Sequence, residues 1–325
     1  MSLSGIALVT GGAGFIGSHV ARALVEQGAR VRIIDNLSTG YLENINEIGN
    51  IDFINASIND NDALMRALEG VELVFHQAAI PSVPRSVNKP IETHDASVNG
   101  TFTLLLAARD RKVRRVIYAA SSSAYGDQAE SPKREMMRPD PLSPYAVAKL
   151  VGEYYCQVFT RCYGLETISL RYFNVFGPRQ DPGSQYSGVI SRFILALESG
   201  ERPVVYGDGE QTRDFTYISN VVDANLLAAE AREAGGKIFN IANGQSVSIN
   251  QVLETLKKLT GRTEVSAEYA ESRPGDVRDS LADLNAAKSV LGYTPVVGLE
   301  EGLRLTLDWW KTSRFSKNPK QPEMT

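Results

Sequence analysis

The chain has 325 residues, of which 43% are hydrophobic and 22% charged, a composition typical of a soluble globular protein with about two domains. Its 34 basic and 38 acidic residues give a net charge of −4 and are well mixed, which argues against a nucleic acid or a membrane surface as partner. Two cysteines and three histidines form no metal-ligand pattern, so we expect no metal site.

Strand-like and helix-like segments alternate through the first half of the chain. Apolar, β-branched runs typical of strands covered on both faces lie at 6–10, 31–35, 51–55, 71–77, 113–120 and 166–171. Helical patterns lie between them at 15–27, 62–69, 91–111 and 143–164. This alternation predicts an α/β protein with a doubly wound parallel sheet.

The sequence changes character after about residue 174, where turn-rich segments separate shorter elements. Helices are predicted near 187–199, 219–233, 248–260 and 299–312. We interpret residues 1–174 as one domain and 175–313 as a smaller mixed α/β domain, some segments of which could return to the first. The polar residues 314–325 are predicted to be a flexible tail.

The N-terminal residues and the cysteines indicate the compartment. Met1 leads into an apolar strand without the pattern of a secretion signal, and no apolar run reaches the length of a membrane span. Cys156 and Cys162 are interpreted as packing thiols in a reducing environment. We therefore expect a cytoplasmic protein.

A glycine-rich motif stands where the first strand meets the first helix. Gly11, Gly14 and Gly17 are spaced three apart, which permits a tight turn and close approach of the backbone to a diphosphate at a helix N-terminus. Asp35 ends the second strand, 18 residues after Gly17. A carboxylate there can accept hydrogen bonds from ribose hydroxyls and would repel a 2′-phosphate. The combination predicts a dinucleotide site that binds NAD rather than NADP.

A second motif, Y-A-V-A-K, places Tyr145 and Lys149 four residues apart on one helix face. A tyrosine is a poor base at its free pKa of about 10, but a nearby lysine ammonium favours the phenolate and can also hold the nicotinamide ribose. Such a pair occurs by chance on many helices. Beside a dinucleotide fingerprint and a serine-rich strand end, it predicts a catalytic pair.

Together these motifs resemble the short-chain dehydrogenase/reductase superfamily, in its extended branch that acts on nucleotide sugars. The resemblance covers nearly the whole chain and implies a Rossmann-type NAD-binding domain over 1–174 and mainly UDP-sugar binding over 175–313. It rests on G-G-A-G-F-I-G at 11–17, D-N-L-S-T-G at 35–40, H-Q-A-A at 76–79, V-N-G-T at 98–101, S-S-S-A-Y-G-D at 121–127, Y-A-V-A-K at 145–149, R-Y-F-N-V-F-G-P-R at 171–179, G-D-G-E-Q-T-R-D-F at 207–215 and R-P-G-D at 273–276.

The resemblance implies which residues bind NAD. They are Gly11, Gly14, Phe15, Ile16, Gly17, Asp35, Asn36, Ser38, Thr39, Gly40, Ser57, Ile58, Gln77, Ala78, Ala79, Asn99, Tyr145, Lys149 and Tyr172. Ser57 is a departure, since family members often carry an aspartate there that meets the adenine amino group.

The resemblance also implies a third catalytic residue four positions before Tyr125, which is Ser121, with its neighbours Ser122 and Ser123 as alternatives. Its hydroxyl would hold the reacting sugar oxygen near Tyr145 and relay the proton. Related 4,6-dehydratases carry Asp and Glu at the next two positions, and decarboxylases carry a glutamate there. Serines at 122 and 123 can position a sugar but cannot act as an acid/base pair at neutral pH, so the sequence predicts an epimerase.

A UDP-sugar wall is implied in the same way. Arg213 and Arg273 suit the diphosphate, because a guanidinium matches phosphate geometry. Asn174 would bind the diphosphate-sugar region, Tyr206 the uracil and Asp276 the ribose or a nearby arginine. The full set of predicted substrate residues is Ser82, Arg85, Ser121, Ser122, Ser123, Tyr145, Asn174, Val189, Tyr206, Arg213, Arg273, Asp276 and Ser280.

Ser280 bears on which hexose is used. It occupies a variable gate position that a tyrosine can fill in family members restricted to glucose and galactose. A serine leaves room for an N-acetyl group. With S-V-P-R-S at 82–86, the chain resembles the branch that accepts UDP-N-acetylhexosamines as well as UDP-glucose and UDP-galactose.

The resulting prediction is NAD-dependent 4-epimerisation of a UDP-hexose through a transient 4-keto sugar. A UDP-glucuronate 4-epimerase or decarboxylase is an alternative, with Arg85 or Arg192 as partner of the C6 carboxylate. A non-catalytic NAD-sensing regulator is a further alternative, although such proteins tend to lose the Tyr and Lys kept here. Because the helices at 91–111 and 143–164 carry apolar stripes and pair across a dimer in the family, we also predict a homodimer.

Overall fold

The computed structural model describes residues 5–181, 188–272 and 277–313. Its strands are β1 (Ile6–Thr10), β2 (Arg30–Asp35), β3 (Ile51–Asn55), β4 (Val71–His76), β5 (Arg115–Ser121), β6 (Glu166–Tyr172), β7 (Val175–Phe176), β8 (Val204–Tyr206), β9 (Thr212–Arg213), β10 (Thr216–Tyr217), β11 (Lys237–Ile241), β12 (Val247–Ser248) and β13 (Glu268–Ala270). Its α-helices are α1 (Phe15–Glu26), α2 (Asn61–Ala67), α3 (Val83–Asn88), α4 (Pro90–His94), α5 (Gly100–Asp110), α6 (Pro144–Tyr163), α7 (Val189–Ser199), α8 (Ile218–Glu230), α9 (Ile249–Thr260) and α10 (Leu299–Thr312).

A seven-stranded sheet in the order β11-β6-β5-β4-β1-β2-β3 forms the centre of the molecule. Every neighbouring pair in it is parallel. The strand order reverses between β1 and β4, which opens a crevice at their carboxyl ends where ligands bind in open α/β sheets. The predicted fold class is confirmed, and all six predicted strands are present with small shifts at their ends.

The helix predicted at 91–111 is continuous but not uniform. It begins as α4, is wound as a π-helix over Asp95–Asn99 and continues as α5. Such wide turns are rare and occur often near functional sites. Ala96, within the π turn, lines the crevice described below.

The seventh strand, β11, is not predicted from the sequence. It lies beyond the change in sequence character, yet it pairs with β6 in register from Lys237↔Ile168 to Ile241↔Tyr172. Helix α8, also from the second half of the chain, packs on α1. Part of 175–313 thus completes the first sheet. The domain boundary at 174 stays a prediction.

Apolar side chains bury both faces of the sheet. On one face Leu24, Val221 and Trp310 belong to a core that joins α1, α8 and α10 to the strands. On the other face Leu64, Leu104 and Phe159 join α2, α5 and α6. Two covered faces account for the continuous apolar strands of the sequence.

The remaining strands form three two-stranded pieces, β7 with β10, β8 with β13 and β9 with β12. With α7 and α9 they build the wall of the crevice that faces the glycine-rich turn. No helix in the described ranges has both the length and the apolar character to cross a bilayer. The same residues contain no group of three or more His, Cys, Asp or Glu placed to hold a metal ion.

Candidate active site

A cleft of about 1320 Å³ lies at the carboxyl ends of the sheet strands. Its floor comes from the glycine-rich turn, the loop after β2 and the ends of β4, β5 and β6. Its opposite wall comes from residues after 173, including parts of α7, β8 and β9. This volume exceeds the roughly 300–1,000 Å³ of ordinary small-molecule pockets, in keeping with an enzyme that binds a dinucleotide and a second substrate.

The glycine-rich turn is shaped to admit a diphosphate. Gly11 has φ of +66°, and a Cβ on it would lie 2.7 Å from the backbone of Ala78. A Cβ on Gly17 would lie 2.2 Å from the carbonyl oxygen of Gly11. Gly14 caps α1 in an extended conformation, so the first N–H groups of the helix are directed out of its N-terminus toward the cleft. The residues present therefore fit a dinucleotide.

Asp35 is held at the end of β2 by two backbone N–H groups. Ala13 N donates to its Oδ2 at 3.0 Å, and Leu37 N donates to its Oδ1 at 2.8 Å. Burial raises the pKa of this carboxyl, and the two N–H donors oppose the rise. Each oxygen keeps a lone pair for a ribose hydroxyl.

Helix α6 presents the predicted catalytic pair to the cleft. The Ser143 side chain caps the helix by accepting from Ala146 N at 3.2 Å, and Pro144 occupies the first turn. Tyr145 therefore stands at the start of the helix, and Lys149 follows one turn later on the same face. Both side chains line the cleft.

Burial dominates the ionisation of both groups. It lowers the pKa of Lys149 to about 8, while the nearby Glu153 carboxylate opposes that shift. The Lys149 ammonium donates to Ala119 O at 2.8 Å and lies 5.2 Å from the ring centre of Tyr118. Burial also raises the pKa of Tyr145, which a hydrogen bond with Ser121 opposes. In this structure Lys149 is thus anchored on β5 and is not a direct partner of the phenol.

Ser121 is the serine whose hydrogen bonding opposes the rise in the pKa of Tyr145. It ends β5, and its Oγ accepts from the backbone N of Ser123 at 3.2 Å and from the hydroxyl of Ser123 at 2.9 Å. Because Ser121 Oγ accepts twice, its own proton is free to be donated to Tyr145 or to a substrate oxygen. The first of the three serines therefore fits the predicted relay, while Ser123 orients it.

The wall of the cleft that faces the glycine-rich turn is organised around buried Asp214. Its carboxylate accepts from the backbone N–H groups of Asn243, Gly244 and Ala282, and its carbonyl accepts from Asn174 Nδ2 at 3.0 Å. Burial raises the pKa of Asp214 to about 6, against these donors. Asp214 thereby holds in place segments that supply predicted substrate contacts.

Other predicted substrate residues lie around this centre. Arg213 Nη1 donates to Thr212 O at 2.8 Å and to Arg278 O at 3.2 Å, and Ser280 N donates to Thr212 O at 3.2 Å. The ring of Tyr206 lies 5.6 Å from the guanidinium carbon of Arg192.

Most of the predicted site residues are brought together in the cleft. Those that line it are Gly11, Gly14, Phe15, Ile16, Gly17, Asp35, Asn36, Ser38, Thr39, Ser57, Ile58, Gln77, Ala78, Ala79, Ser82, Arg85, Ser121, Ser122, Ser123, Tyr145, Lys149, Tyr172, Asn174, Val189, Tyr206, Arg213 and Ser280.

Four predicted residues stand apart from that set. Gly40 does not line the cleft but packs on Ala13, where a Cβ would lie 2.8 Å from the backbone carbon. Asn99 does not line it either; its Nδ2 donates to Asp95 Oδ1 at 2.8 Å within the π turn. Arg273 and Asp276 lie outside the described residues.

Sequence reasoning misses a buried polar cluster under the cleft floor. Asn225 of α8 donates from Nδ2 to the hydroxyl of Tyr172 at 2.8 Å and accepts from Gln77 Nε2 at 3.1 Å. Gln77 and Tyr172 are predicted cofactor contacts, so Asn225 orients both. No local signal could reveal it, since Asn225 is 148 residues from Gln77 and 53 from Tyr172 along the chain.

The motifs and the geometry agree with comparison to known proteins. The NAD dependent epimerase/dehydratase family model matches residues 7–242. The chain belongs to this family. The resemblance predicted from the motifs is thereby confirmed, and the cofactor is NAD.

Relatives of this chain within the epimerase/dehydratase family are named for different UDP-sugar substrates. A UDP-N-acetylglucosamine 4-epimerase from Methanobrevibacter ruminantium, solved with UDP-N-acetylmuramic acid, is 39% identical with a TM-score of 0.91, covering 95% of this chain and 99% of that one. A UDP-glucose 4-epimerase from Thermotoga maritima, solved with UDP-glucose, is 41% identical with a TM-score of 0.90, covering 94% and 99%. A UDP-glucuronate 4-epimerase of Thermodesulfobacterium geofontis is 34% identical over 319 residues, 94% of this chain and 96% of that protein.

Proposed function

We propose that this protein is a UDP-hexose 4-epimerase that works with bound NAD. The observation that carries the proposal is the cluster of Ser121, Tyr145 and Lys149 at a dinucleotide cleft, with serines at 122 and 123. Those two serines lack the carboxyl groups that an elimination would require. The chemistry left to the site is a reversible oxidation at one sugar carbon.

The side chains divide the proton chemistry between them. NAD, when bound, supplies a reversible hydride acceptor for C4 of the sugar. Tyr145 takes the proton of the 4-hydroxyl through Ser121 and later returns it, so that no proton is gained or lost overall. Lys149 holds the cofactor's ribose from its anchored position on Ala119 O. The UDP contacts keep the 4-keto sugar bound while it turns its other face to the cofactor.

The UDP group is held, in this proposal, by the wall opposite the cofactor. Arg213 and Arg273 neutralise the diphosphate, Asn174 contacts the diphosphate-sugar region and Tyr206 contacts the uracil. Asp276 contacts the ribose or a nearby arginine. Support for Arg213, Asn174 and Tyr206 comes from their common place in the cleft lining.

Ser280 supports acceptance of an N-acetyl group at C2. It lines the cleft, and its small side chain leaves space that a tyrosine would fill. Space permits an acetylated sugar without excluding a plain one, because a pocket discriminates weakly against a substrate smaller than itself. We therefore expect turnover of both UDP-N-acetylglucosamine and UDP-glucose.

A uronic acid substrate is less well supported. Arg85, a candidate partner for its carboxylate, is ion-paired with Glu92 at 2.9 Å, and Lys89 approaches the same carboxylate at 3.1 Å. A second carboxylate near Arg85 would have to compete with Glu92.

A homodimer in the cytoplasm is part of the proposal. Val147, Tyr154 and Val158 of α6 are each close to half exposed and lie along one helix face. Ile91 of α4 and Phe102 of α5 add to the same helical surface. Exposed apolar side chains grouped in this way favour association. Free thiols at Cys156 and Cys162 suit a reducing compartment.

The first test follows the purified protein by proton NMR with UDP-N-acetylglucosamine, UDP-glucose and UDP-glucuronate in separate samples, without added NAD. We expect conversion of the first two to their galacto epimers with no keto product, and near-complete loss of turnover in Tyr145→Phe. Conversion of UDP-glucuronate alone, or normal turnover by Tyr145→Phe, would contradict the proposal. The rate ratio of acetylated to plain sugar measures the effect of the space at Ser280.

A further inference from the structure

Residues 177–181, here called the strap, connect the substrate side of the cleft to the cofactor side. Gly177 has φ of +150°, and Arg179 has φ of +68°, which is uncommon for a residue other than glycine. Gln180 anchors the strap to the substrate wall: its Nε2 donates to Val175 O at 3.1 Å, and its Oε1 accepts from Ser191 of α7 at 2.9 Å.

Two other residues of the strap, Pro178 and Asp181, are hydrogen-bonded to the cofactor side of the cleft. The Tyr41 hydroxyl donates to Asp181 Oδ2 at 2.6 Å, across 140 residues of sequence. Tyr41 N in turn donates to Ala13 O at 3.0 Å, just before α1 begins. His19, in the second turn of α1, donates from Nε2 to Pro178 O at 3.0 Å.

These contacts form a closed ring. It runs from Ala13 along the first turns of α1 to His19, across to Pro178, along the strap to Asp181, and back through Tyr41 to Ala13. The N-terminus of α1, where the diphosphate of a dinucleotide binds, is part of this ring. A bound dinucleotide is thus bordered by the strap.

The strap also brings a positive charge to the ring. Arg179 lines the cleft, and its Nη1 is buried without a hydrogen bond to any residue in the described ranges. Burial lowers the pKa of Arg179, and Arg22 is close enough for the two positive charges to repel each other, which lowers it further. The Glu47 carboxylate opposes this effect and lies 3.8 Å from Arg22. Buried donors are nearly always hydrogen-bonded in native proteins, so an anion is expected here. The diphosphate is the anion that the cleft is shaped to hold.

We propose that the strap retains NAD, with Arg179 as a contact of the diphosphate and the Tyr41–Asp181 hydrogen bond as a latch that must open before the cofactor leaves. The inference depends on the NAD site and not on the sugar substrate. It can therefore hold or fail independently of the proposed epimerase activity.

The experiment measures release of NAD. Wild type, Tyr41→Phe, Asp181→Asn and the double variant are saturated with NAD, freed of unbound cofactor and diluted into excess alcohol dehydrogenase with ethanol, which turns released NAD into NADH. We expect each single variant to release NAD roughly tenfold faster or more, as befits loss of a hydrogen bond to a charged group. The double variant should be no faster than the faster single one, because both changes remove the same bond.

Two further variants complete the design. Tyr269→Phe is the matched control, since Tyr269 is an exposed residue whose hydroxyl contacts Asn250 at 3.1 Å, and it should release NAD at the wild-type rate.

Arg179→Met should release NAD faster and with a weaker dependence on ionic strength than wild type. Wild-type release rates in Tyr41→Phe and Asp181→Asn, or multiplied effects in the double variant, would overturn the latch. An unchanged salt dependence in Arg179→Met would overturn the diphosphate contact.

Discussion

At the scale of single residues, His76 shows how one buried side chain supports the cofactor turn. Its Nδ1 lies 2.7 Å from the hydroxyl of Thr10, and its Nε2 lies 2.9 Å from the hydroxyl of Thr101. Thr10 Oγ1 also accepts from Ala78 N at 3.2 Å, beside the glycine-rich turn. His76 therefore joins β1, β4 and α5 beside the glycine-rich turn that we propose holds the diphosphate.

The ionisation of His76 predicts acid sensitivity. Burial, helped by the charge of Lys149, lowers its pKa from 6.5 to about 3. Between pH 6.5 and 3 this histidine is protonated in the unfolded chain but neutral in the folded protein. The stability that neutral His76 contributes is therefore complete above pH 6.5 and is lost as the pH falls from 6.5 toward 3. The loss amounts to about 1.4 kcal/mol per pH unit in this window.

The measurement is the free energy of unfolding against pH for wild type and His76→Gln. We expect the variant to be less stable at about pH 7. On acidification its free energy of unfolding should fall less steeply, because unfolding takes up about one proton fewer than in wild type. Carboxylates and the other histidines titrate in both proteins and cancel in the difference. Parallel curves would show that His76 is not the group responsible.

At the scale of elements, the packing of α6 against β5 determines where Tyr145 and Lys149 lie. Tyr118 of β5 donates from its hydroxyl to Lys149 O at 3.2 Å. Gly152, one turn further along α6, gives the Tyr118 ring room, since a Cβ there would lie 2.2 Å from the hydroxyl oxygen. The absence of a side chain at Gly152 thus fixes the distance between helix and sheet.

Gly152→Ala is expected to destabilise the protein and lower its activity, although alanine is the better helix former by about 1 kcal/mol. Overpacking against Tyr118 should cost about 1–3 kcal/mol and displace the catalytic pair. Chemical denaturation and kcat measure the two effects. Gly49→Ala is the control, because nothing lies within 4 Å of its Cβ position, and it should leave both unchanged. A stabilised, fully active Gly152→Ala would refute this account.

At the scale of the whole molecule, the apolar surface on α4, α5 and α6 predicts the assembly state. Val158→Asp places a charge among exposed apolar side chains and should convert the proposed dimer to a monomer. Val296→Asp is the control, because Val296 is 81% exposed but lies outside these helices. Sedimentation equilibrium distinguishes the states. A wild-type protein that is monomeric at all concentrations would contradict the proposed dimer.

Much of this site was predictable from local patterns. Glycines three apart at a strand-to-helix junction and an acidic residue at the end of β2 have one common use, and the structure places Gly11, Gly17 and Asp35 in the cleft. The four-residue spacing of Tyr145 and Lys149 requires only that α6 is a helix. Such features depend on backbone geometry over a few residues, which the sequence specifies directly.

The sequence by itself determined the alternation of strands and helices and predicted the dinucleotide turn and the Tyr145–Lys149 pair, because periodicity and spacing act over short distances. Only the tertiary structure decided that β11 completes the sheet, that Asn225 orients Tyr172, and that Tyr41 meets Asp181. Those contacts join residues far apart in the chain. They form only when the packed core brings their elements together, so no local pattern marks them.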